Sequence, residues 1–153
     1  RPAGLRGGVP RGAPARVAVD VFDADVLIGF LNRDDAHHAE AVRRVRSALA
    51  PGSRRHVCAV NYSEVLIGPL RRDRADVVRG MIERLGIDVV SVDAALAERA
   101  ADVRAATDLT LPDAYALATA GMIADRRPDD VVLETFDERV RRAHQRLRRR
   151  ASG

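Results

Sequence analysis

Two patterns of apolar residues alternate along the chain. Short apolar runs suited to β-strands fall at residues 17–22, 56–60, 87–92 and 131–135. The segments between them repeat apolar residues every three or four positions, as amphipathic helices do. Strands that alternate with helices favour parallel pairing through right-handed crossovers. The pattern therefore predicts an α/β fold, a three-layer α/β/α sandwich around a central, mainly parallel sheet of four or five strands.

Polar and conformationally special residues predict where the helices begin and end. Helix caps are expected at Asp34 or Asp35, at Asp73 and at Asp93. The second helix should bury the face formed by Ala39, Val42, Val45 and Leu49. A helix starting at Asn61 is expected to break near Gly68-Pro69, Pro112 should open another, and a basic helix should end the chain.

Length and composition predict one domain at residues 16–150. The chain has 153 residues, and its first fifteen, rich in Gly, Pro and Arg, are expected to form a disordered leader or to be an expression remnant. No apolar run approaches the roughly 20 residues that span a bilayer, so no membrane association is expected. A single cysteine, Cys58, and no secretion signal favour a cytoplasmic protein without disulfides.

The net charge of +4 comes entirely from arginine, because the chain has no lysine. Much of the excess lies in the tail RRAHQRLRRR. Such a charge favours a polyanionic partner. An arginine-rich tail is equally typical of a solvated helix end that complements the helix dipole, so the charge alone leaves both interpretations open.

Four acidic residues lie at strand-to-helix joints or helix starts: Asp23, Glu64, Asp113 and Asp137. In an open parallel sheet, ligands bind outside the carboxyl ends of the strands, so these side chains are expected to meet there. Two carboxylates about 5 Å apart repel by roughly 3 kcal/mol at an effective dielectric near 20. Such a cluster needs a cation, and oxygen-only ligands suit Mg²⁺ or Mn²⁺.

Each acid also has an ordinary structural explanation. Asn61 and Glu64 fit a capping box, and Asp113 fits the first turn of a helix. Asp23 or Asp25 could cap the first helix, and Asp137 the last. Taken singly, the caps are the simpler explanation. Four acids at joints of one small sheet favour a shared site.

The order of these motifs resembles that of the PIN domain, particularly the VapC toxins of bacterial toxin–antitoxin pairs. The resemblance rests on FDADVLIGFL, NYSEVLIGPL, LPDAYALATA and the Thr-x-Asp of LETFDERV, and it covers about residues 17–146. It implies that Asp23, Glu64, Asp113 and Asp137 form the catalytic metal site of a ribonuclease that uses Mg²⁺ or Mn²⁺.

The same resemblance implies further roles and partners. Thr135 matches a hydroxyl beside the last acid, whereas Asp25 stands where the family more often has Asn or Ser, which adds charge near the site. The family also implies a homodimer, a cognate VapB-type antitoxin and structured RNA such as tRNA as substrate.

Two alternatives remain open from the sequence. The segment DADVL approximates the nucleophile motif of haloacid-dehalogenase-like phosphatases, although Asp129-Asp130 precede a strand where that family has an acidic pair after one. A non-enzymatic binding module could also keep the fold with an unused site.

Overall fold

Four strands and seven helices alternate along residues 17–126, 130–151 and 153, the part of the chain that the computed structural model describes. The strands are β1 (Ala18–Phe22), β2 (Arg54–Cys58), β3 (Ile87–Val90) and β4 (Asp130–Glu134). The helices are α1 (Ala24–Leu31), α2 (His38–Ala48), α3 (Ala59–Leu70), α4 (Ala75–Arg84), α5 (Ala94–Ala106), α6 (Leu111–Arg126) and α7 (Glu138–Ala151). The predicted leader lies outside the described residues. Within them, no helix is long and apolar enough to cross a membrane.

The four strands form one parallel sheet in the order β3-β2-β1-β4. Phe22, at the end of β1, is in register with Val57 of β2 and with Glu134 of β4. The carboxyl ends of the strands therefore lie along one edge of the sheet. The chain moves outward from β1 to β3 and then returns to the other side of β1, which creates a topological switch point between β1 and β4.

Alternate side chains of β1 pack on opposite faces of the sheet. Phe22 joins a buried cluster with residues of α1 to α4. Val19 and Val21 join a second cluster with residues of α6, β4 and α7. Helices thus cover both faces of the sheet, and the predicted three-layer α/β/α sandwich is confirmed.

The start of α3 differs from the prediction. The helix begins at Ala59, two residues earlier than expected, because β2 ends at Cys58, whose backbone is extended. Asn61 is therefore inside the first helical turn, and the predicted capping box between Asn61 and Glu64 is wrong. The helix also continues through Pro69 to Leu70. Proline removes only one backbone donor there, and the helix ends one residue later.

Two further helix starts were predicted wrongly. Helix α2 begins at His38, and Asp35 instead accepts a hydrogen bond from the backbone N–H of His37 in the preceding turn. Its buried face is Ala41, Val45 and Ala48. Helix α4 has no side-chain cap, since Asp73 adopts a positive φ of 54° in the turn before it. The predicted cap at Asp93 is confirmed by a 2.8 Å bond from the Leu96 N–H.

Candidate metal and active site

The adjacent ends of β1 and β4 bring Asp23, the residue after β1, next to Thr135, the residue after β4. The backbone N–H of Asp23 donates to the Glu134 carbonyl at 2.9 Å, which extends the pairing of the two strands by one residue. Oδ1 of Asp23 accepts from the Ala24 N–H at 2.7 Å and so caps α1. Asp23 is only 4% exposed. Asp23 is therefore both the cap of α1 and a buried carboxylate at the topological switch point.

The hydroxyl of Thr135 lies between two carboxylates. It is fully buried and donates towards Oδ2 of Asp23 at 3.0 Å and Oδ2 of Asp25 at 3.3 Å. The Phe136 N–H donates to the same Asp25 oxygen at 2.9 Å. Oδ1 of Asp25 is buried and has no hydrogen-bond partner among the described residues. The site thus contains a carboxylate oxygen that is free to accept a ligand.

Asn61 connects the Asp23 side of the site to Glu64. Its buried amide nitrogen is 3.4 Å from Oδ1 of Asp23, 3.3 Å from Oε2 of Glu64 and 3.0 Å from the Pro112 carbonyl oxygen. The role of Asn61 was missed from the sequence, where it was interpreted as a helix cap. A signal was present, because Asn61 and Glu64 are three residues apart and share one face of any helix that contains both.

Asp113 reaches the same region from the start of α6. Its carboxylate accepts from the Thr110 N–H at 3.3 Å, and its own N–H donates to the Thr110 hydroxyl at 3.4 Å. This reciprocal pair is a capping box, as the structural interpretation of Asp113 required. The negative charge of Asp113 also raises the pKa of both Asp23 and Glu64. The capping acid is therefore close enough to act on the other carboxylates.

Asp137 is positioned differently from the other three predicted acids. Oδ2 of its carboxylate is 2.9 Å from Nη2 of Arg139, and Oδ1 accepts from the Arg139 N–H at 2.8 Å. The hydrogen bond from the Arg139 side chain lowers the pKa of Asp137. Its backbone N–H donates to the Thr135 hydroxyl at 3.1 Å. The Asp137 carboxylate is thus held by Arg139. Among the described contacts, Asp137 bonds to the Thr135 hydroxyl through its backbone N–H and not through its side chain.

Burial disfavours the ionised form of the carboxylates at the centre of the site. It raises the pKa of Asp23 to about 7, with the charges of Asp25 and Asp113 adding to the effect and hydrogen bonds from Thr135 and Ala24 opposing it. Burial also raises the pKa values of Asp25 and Glu64. Neighbouring acids that disfavour each other's ionisation require protons or a cation.

The donor set fits a hard divalent cation in its chemistry. Every candidate ligand is a carboxylate oxygen, and the unpartnered Oδ1 of Asp25 is available. The side chains do not form a closed cage as they stand. Among the described residues, no three Asp, Glu, His or Cys side chains are arranged to hold an ion. The metal site and the roles of its ligands therefore stay predictions.

Known proteins share this architecture. A toxin–antitoxin complex from Klebsiella pneumoniae contains a similar chain, with a TM-score of 0.60, 24% identity and coverage of 77% of this chain and 86% of that one. The Mycobacterium tuberculosis toxin VapC20, described as sarcin–ricin loop-cleaving, superposes with a TM-score of 0.63 and 18% identity over 81% of this chain and 94% of its own. At these identities the likeness establishes the fold alone.

Comparison of the sequence with curated proteins found no match. The sequence profile of the PIN domain family, by contrast, matches residues 21–145. That range contains every candidate site residue described above and most of the chain. The chain therefore belongs to the PIN domain family.

Proposed function

We propose that this protein is a metal-dependent endoribonuclease and the toxin of a toxin–antitoxin pair. The observation that carries the proposal is the pair of neighbouring carboxylates, the buried Asp23 and the partly buried Asp25, that share the Thr135 hydroxyl beside Asn61 and Glu64. Neighbouring acids do not stabilise a hydrophobic core, since each disfavours the charged form of the other. In a nuclease site such acids have a function, because carboxylates bind the divalent cations that catalyse phosphodiester hydrolysis.

The chain's own residues prepare this site. The Thr135 hydroxyl and the Asn61 amide fix the two oxygens of Asp23, which orients that carboxylate. In the metal-free protein burial raises the pKa of Asp23 to about 7, so a cation at this carboxylate competes with a proton near neutral pH. Mg²⁺ or Mn²⁺, when bound by Asp23, Glu64, Asp113 and Asp137, would supply Lewis-acid chemistry for phosphodiester hydrolysis. Asp25, with its unpartnered oxygen, is a further candidate ligand.

Two relatives support the toxin assignment. One structural neighbour comes from a toxin–antitoxin complex, and the other is described as a toxin that cleaves the sarcin–ricin loop, an RNA element. We transfer from them the reaction class and the presence of an antitoxin. tRNA and homodimerisation are implied by the family resemblance, and sedimentation analysis of the purified chain would test the dimer.

An apolar groove beside Glu64 offers a surface for the antitoxin. It has a volume of about 690 Å³ and is lined mainly by residues of α1, α3 and α4, with Asn32, Arg72 and Arg74 from the turns that follow α1 and α3. Ile28, Ile67 and Val77 in its lining are 39%, 48% and 52% exposed. An amphipathic segment that covers these side chains would bury apolar area and also block the approach to Glu64. Inhibition by such a VapB-type partner would then be steric.

The test uses isosteric substitutions that separate catalysis from helix capping. Asparagine caps a helix about as well as aspartate, so Asp23→Asn keeps the cap of α1 and removes the charge. Asp113→Asn removes the charge and keeps an oxygen that can accept from the Thr110 N–H. Each of these two variants, and Glu64→Gln as a third single variant, should no longer cleave cellular RNA in Mn²⁺ or arrest growth, and each should remain folded. Asp125→Asn, an exposed acid at the far end of α6, is the matched control and should stay active.

The outcomes distinguish the alternatives. Full cleavage by folded Asp23→Asn would assign that residue to capping. A folded wild-type protein that binds Mn²⁺ but cleaves no RNA with the antitoxin absent would favour the binding-module alternative. Membership of the PIN domain family removes the basis for the phosphatase alternative, and p-nitrophenyl phosphate should not be hydrolysed.

A further inference from the structure

The backbone carbonyl of Thr135 is held by two arginines from different helices. Nη1 of Arg44, on α2, donates to it at 2.9 Å, and Nη2 of Arg141, on α7, at 3.1 Å. The hydroxyl of the same threonine contacts Asp23 and Asp25. Thr135 is therefore fixed through its backbone and contacts the acids through its side chain.

The guanidinium of Arg44 is itself held in place by several contacts. Its Nε donates to Oε1 of Glu40 at 2.9 Å, and Nη1 lies 3.3 Å from Oε2 of Glu134. Its central carbon lies 4.9 Å from the centre of the Phe136 ring, within cation–π range. The Arg44 side chain is only 22% exposed. It thus joins α2 to three successive residues, Glu134 to Phe136, at the end of β4.

We propose that Arg44 is a positioning residue for the acidic site, a role that rests on the nuclease function proposed above. It acts through two residues: Thr135, whose hydroxyl contacts Asp23 and Asp25, and Phe136, whose N–H donates to Asp25. Without Arg44, the Thr135 carbonyl keeps one guanidinium contact, from Arg141, and loses its hydrogen bond to α2. The stacking of His37, the N-cap of α2, on Phe136 remains, but it does not bond to Thr135. The orientation of the two carboxylates then becomes less defined.

The geometry of these contacts requires arginine. The guanidinium donates in different directions at once, to Glu40 and to the Thr135 carbonyl, and presents a flat face to Phe136. A lysine ammonium can preserve the charge and one of the bonds but cannot reproduce the planar fork. Arg44→Lys should consequently be intermediate between wild type and Arg44→Met, which keeps most of the aliphatic length without a donor.

The first readout uses metal-free protein, so that it is independent of catalysis. Amide hydrogen exchange at Phe136 and Asp137, followed by NMR, should accelerate about tenfold in Arg44→Met because the variant lacks a charged hydrogen bond to this segment. Arg43→Met is the matched control. Arg43 pairs with the same Glu40 but its side chain is 69% exposed, so its removal should leave those amides unchanged.

The second readout is Mn²⁺ affinity measured by titration calorimetry. Arg44→Met should weaken binding about 10- to 100-fold, as removal of residues that orient ligands does, with Arg44→Lys in between and Arg43→Met equal to wild type. In a Thr135→Val background, which lacks the hydroxyl, Arg44→Met should have a smaller effect, because the two changes interrupt the same connection.

The outcomes separate this inference from the proposed function. Equal exchange rates in Arg44→Met and Arg43→Met, or equal Mn²⁺ affinities, would overturn the positioning role. If wild-type protein bound no Mn²⁺ and the exchange at Phe136 still accelerated, the proposed function would fail and the positioning role would stand. Should Arg44→Met melt below the assay temperature, Arg44→Lys supplies both readouts.

Discussion

The side-chain amide nitrogen of Asn61 lies 3.4 Å from Oδ1 of Asp23, although the two residues are 38 positions apart. The same nitrogen lies 3.3 Å from Glu64. A neutral donor is thus inserted between two carboxylates and offsets their repulsion without adding a charge. This contact makes Asn61 the residue whose replacement most directly probes the electrostatics of the site.

Asn61→Asp should destabilise the metal-free protein by about 2 to 4 kcal/mol at pH 7.5, because it replaces a buried donor with a third acid. Millimolar Mn²⁺ should restore part of this stability. Urea unfolding with and without Mn²⁺ measures both effects. Asn61→Leu, which removes the donor without adding charge, should be destabilised by about 1 to 3 kcal/mol and should gain no more stability from metal than the wild type does. A metal-free Asn61→Asp protein as stable as wild type would contradict this account.

Divalent metal should raise the melting temperature of the wild-type protein, since it binds the folded site and relieves repulsion there. At 100 times the dissociation constant the gain is about 2.7 kcal/mol, which corresponds to several degrees for a domain of this size. Scanning calorimetry with Mg²⁺ or Mn²⁺ measures the shift. Asp113→Asn should reduce the shift and Asp125→Asn should retain it; equal shifts in both variants would exclude Asp113 as a ligand.

Asp20 should make the protein less stable as the pH rises from about 4 to 6. This residue is 6% exposed in β1, and burial, followed by the charge of Glu134, raises its pKa to about 6 against the opposing charge of Arg55. Between its unfolded pKa of 3.8 and about 6, the folded state binds more protons than the unfolded state. The free energy of unfolding therefore falls across that window.

Asp20→Asn should remove this contribution to the pH dependence and gain up to about 3 kcal/mol at pH 7.5. Urea unfolding from pH 4 to pH 8, compared with wild type, isolates the contribution of Asp20 from those of the other buried acids. A variant that keeps the full wild-type slope would show that Asp20 is already ionised at low pH.

The arginines at the end of α7 should contribute to RNA binding. No ion pair involves Arg146, Arg149 or Arg150 within the part of the chain that the structure describes, whereas Arg148 pairs with Asp130. Changing those three to Gln should lower the slope of log affinity against log salt by about 0.7 for each phosphate that the variant no longer neutralises. Filter binding in an Asp113→Asn background measures the slope without cleavage.

A charge-matched control fixes the interpretation of that slope. Changing Arg43, Arg54 and Arg79, three exposed arginines outside α7, to Gln removes the same charge. The control should alter the slope less than the α7 variant, and neither should change Mn²⁺ affinity. Equal slopes for the two variants would assign the tail to general solvation or to the antitoxin interface.

The fold could be predicted from sequence because strand and helix periods differ and the buried strands are short and apolar. The register of Phe22 with Val57 and Glu134 was not predicted, because it depends on how the crossover helices align the strands. Helix starts were less predictable. Polar residues near a joint, such as Asp35 and Asp73, hydrogen-bond or turn the chain before the helix, and sequence alone cannot distinguish such residues from caps.

The contacts within the site were predictable only in part. That Asp23 and Asp113 begin helices could be inferred from local sequence. Local spacing places Asn61 and Glu64 on one face of a helix, but it does not show that this face meets Asp23 at the end of β1. The hydrogen bond from Arg44 to Thr135 joins residues 91 positions apart. It depends on how α2 packs against the sheet, which side-chain periodicity does not specify.

The position of β4 at the outer side of β1 sets the order in which the site can be assembled during synthesis. Asp23 leaves the ribosome 112 residues before its hydroxyl partner Thr135. Among the residues that the structure describes, β4, which directly precedes Thr135, pairs with β1 alone. A nascent chain therefore contains Asp23 and Asn61 long before it contains the hydroxyl that bonds to the other oxygen of Asp23. The orienting contact from Thr135 can form only once nearly all of the domain has been translated.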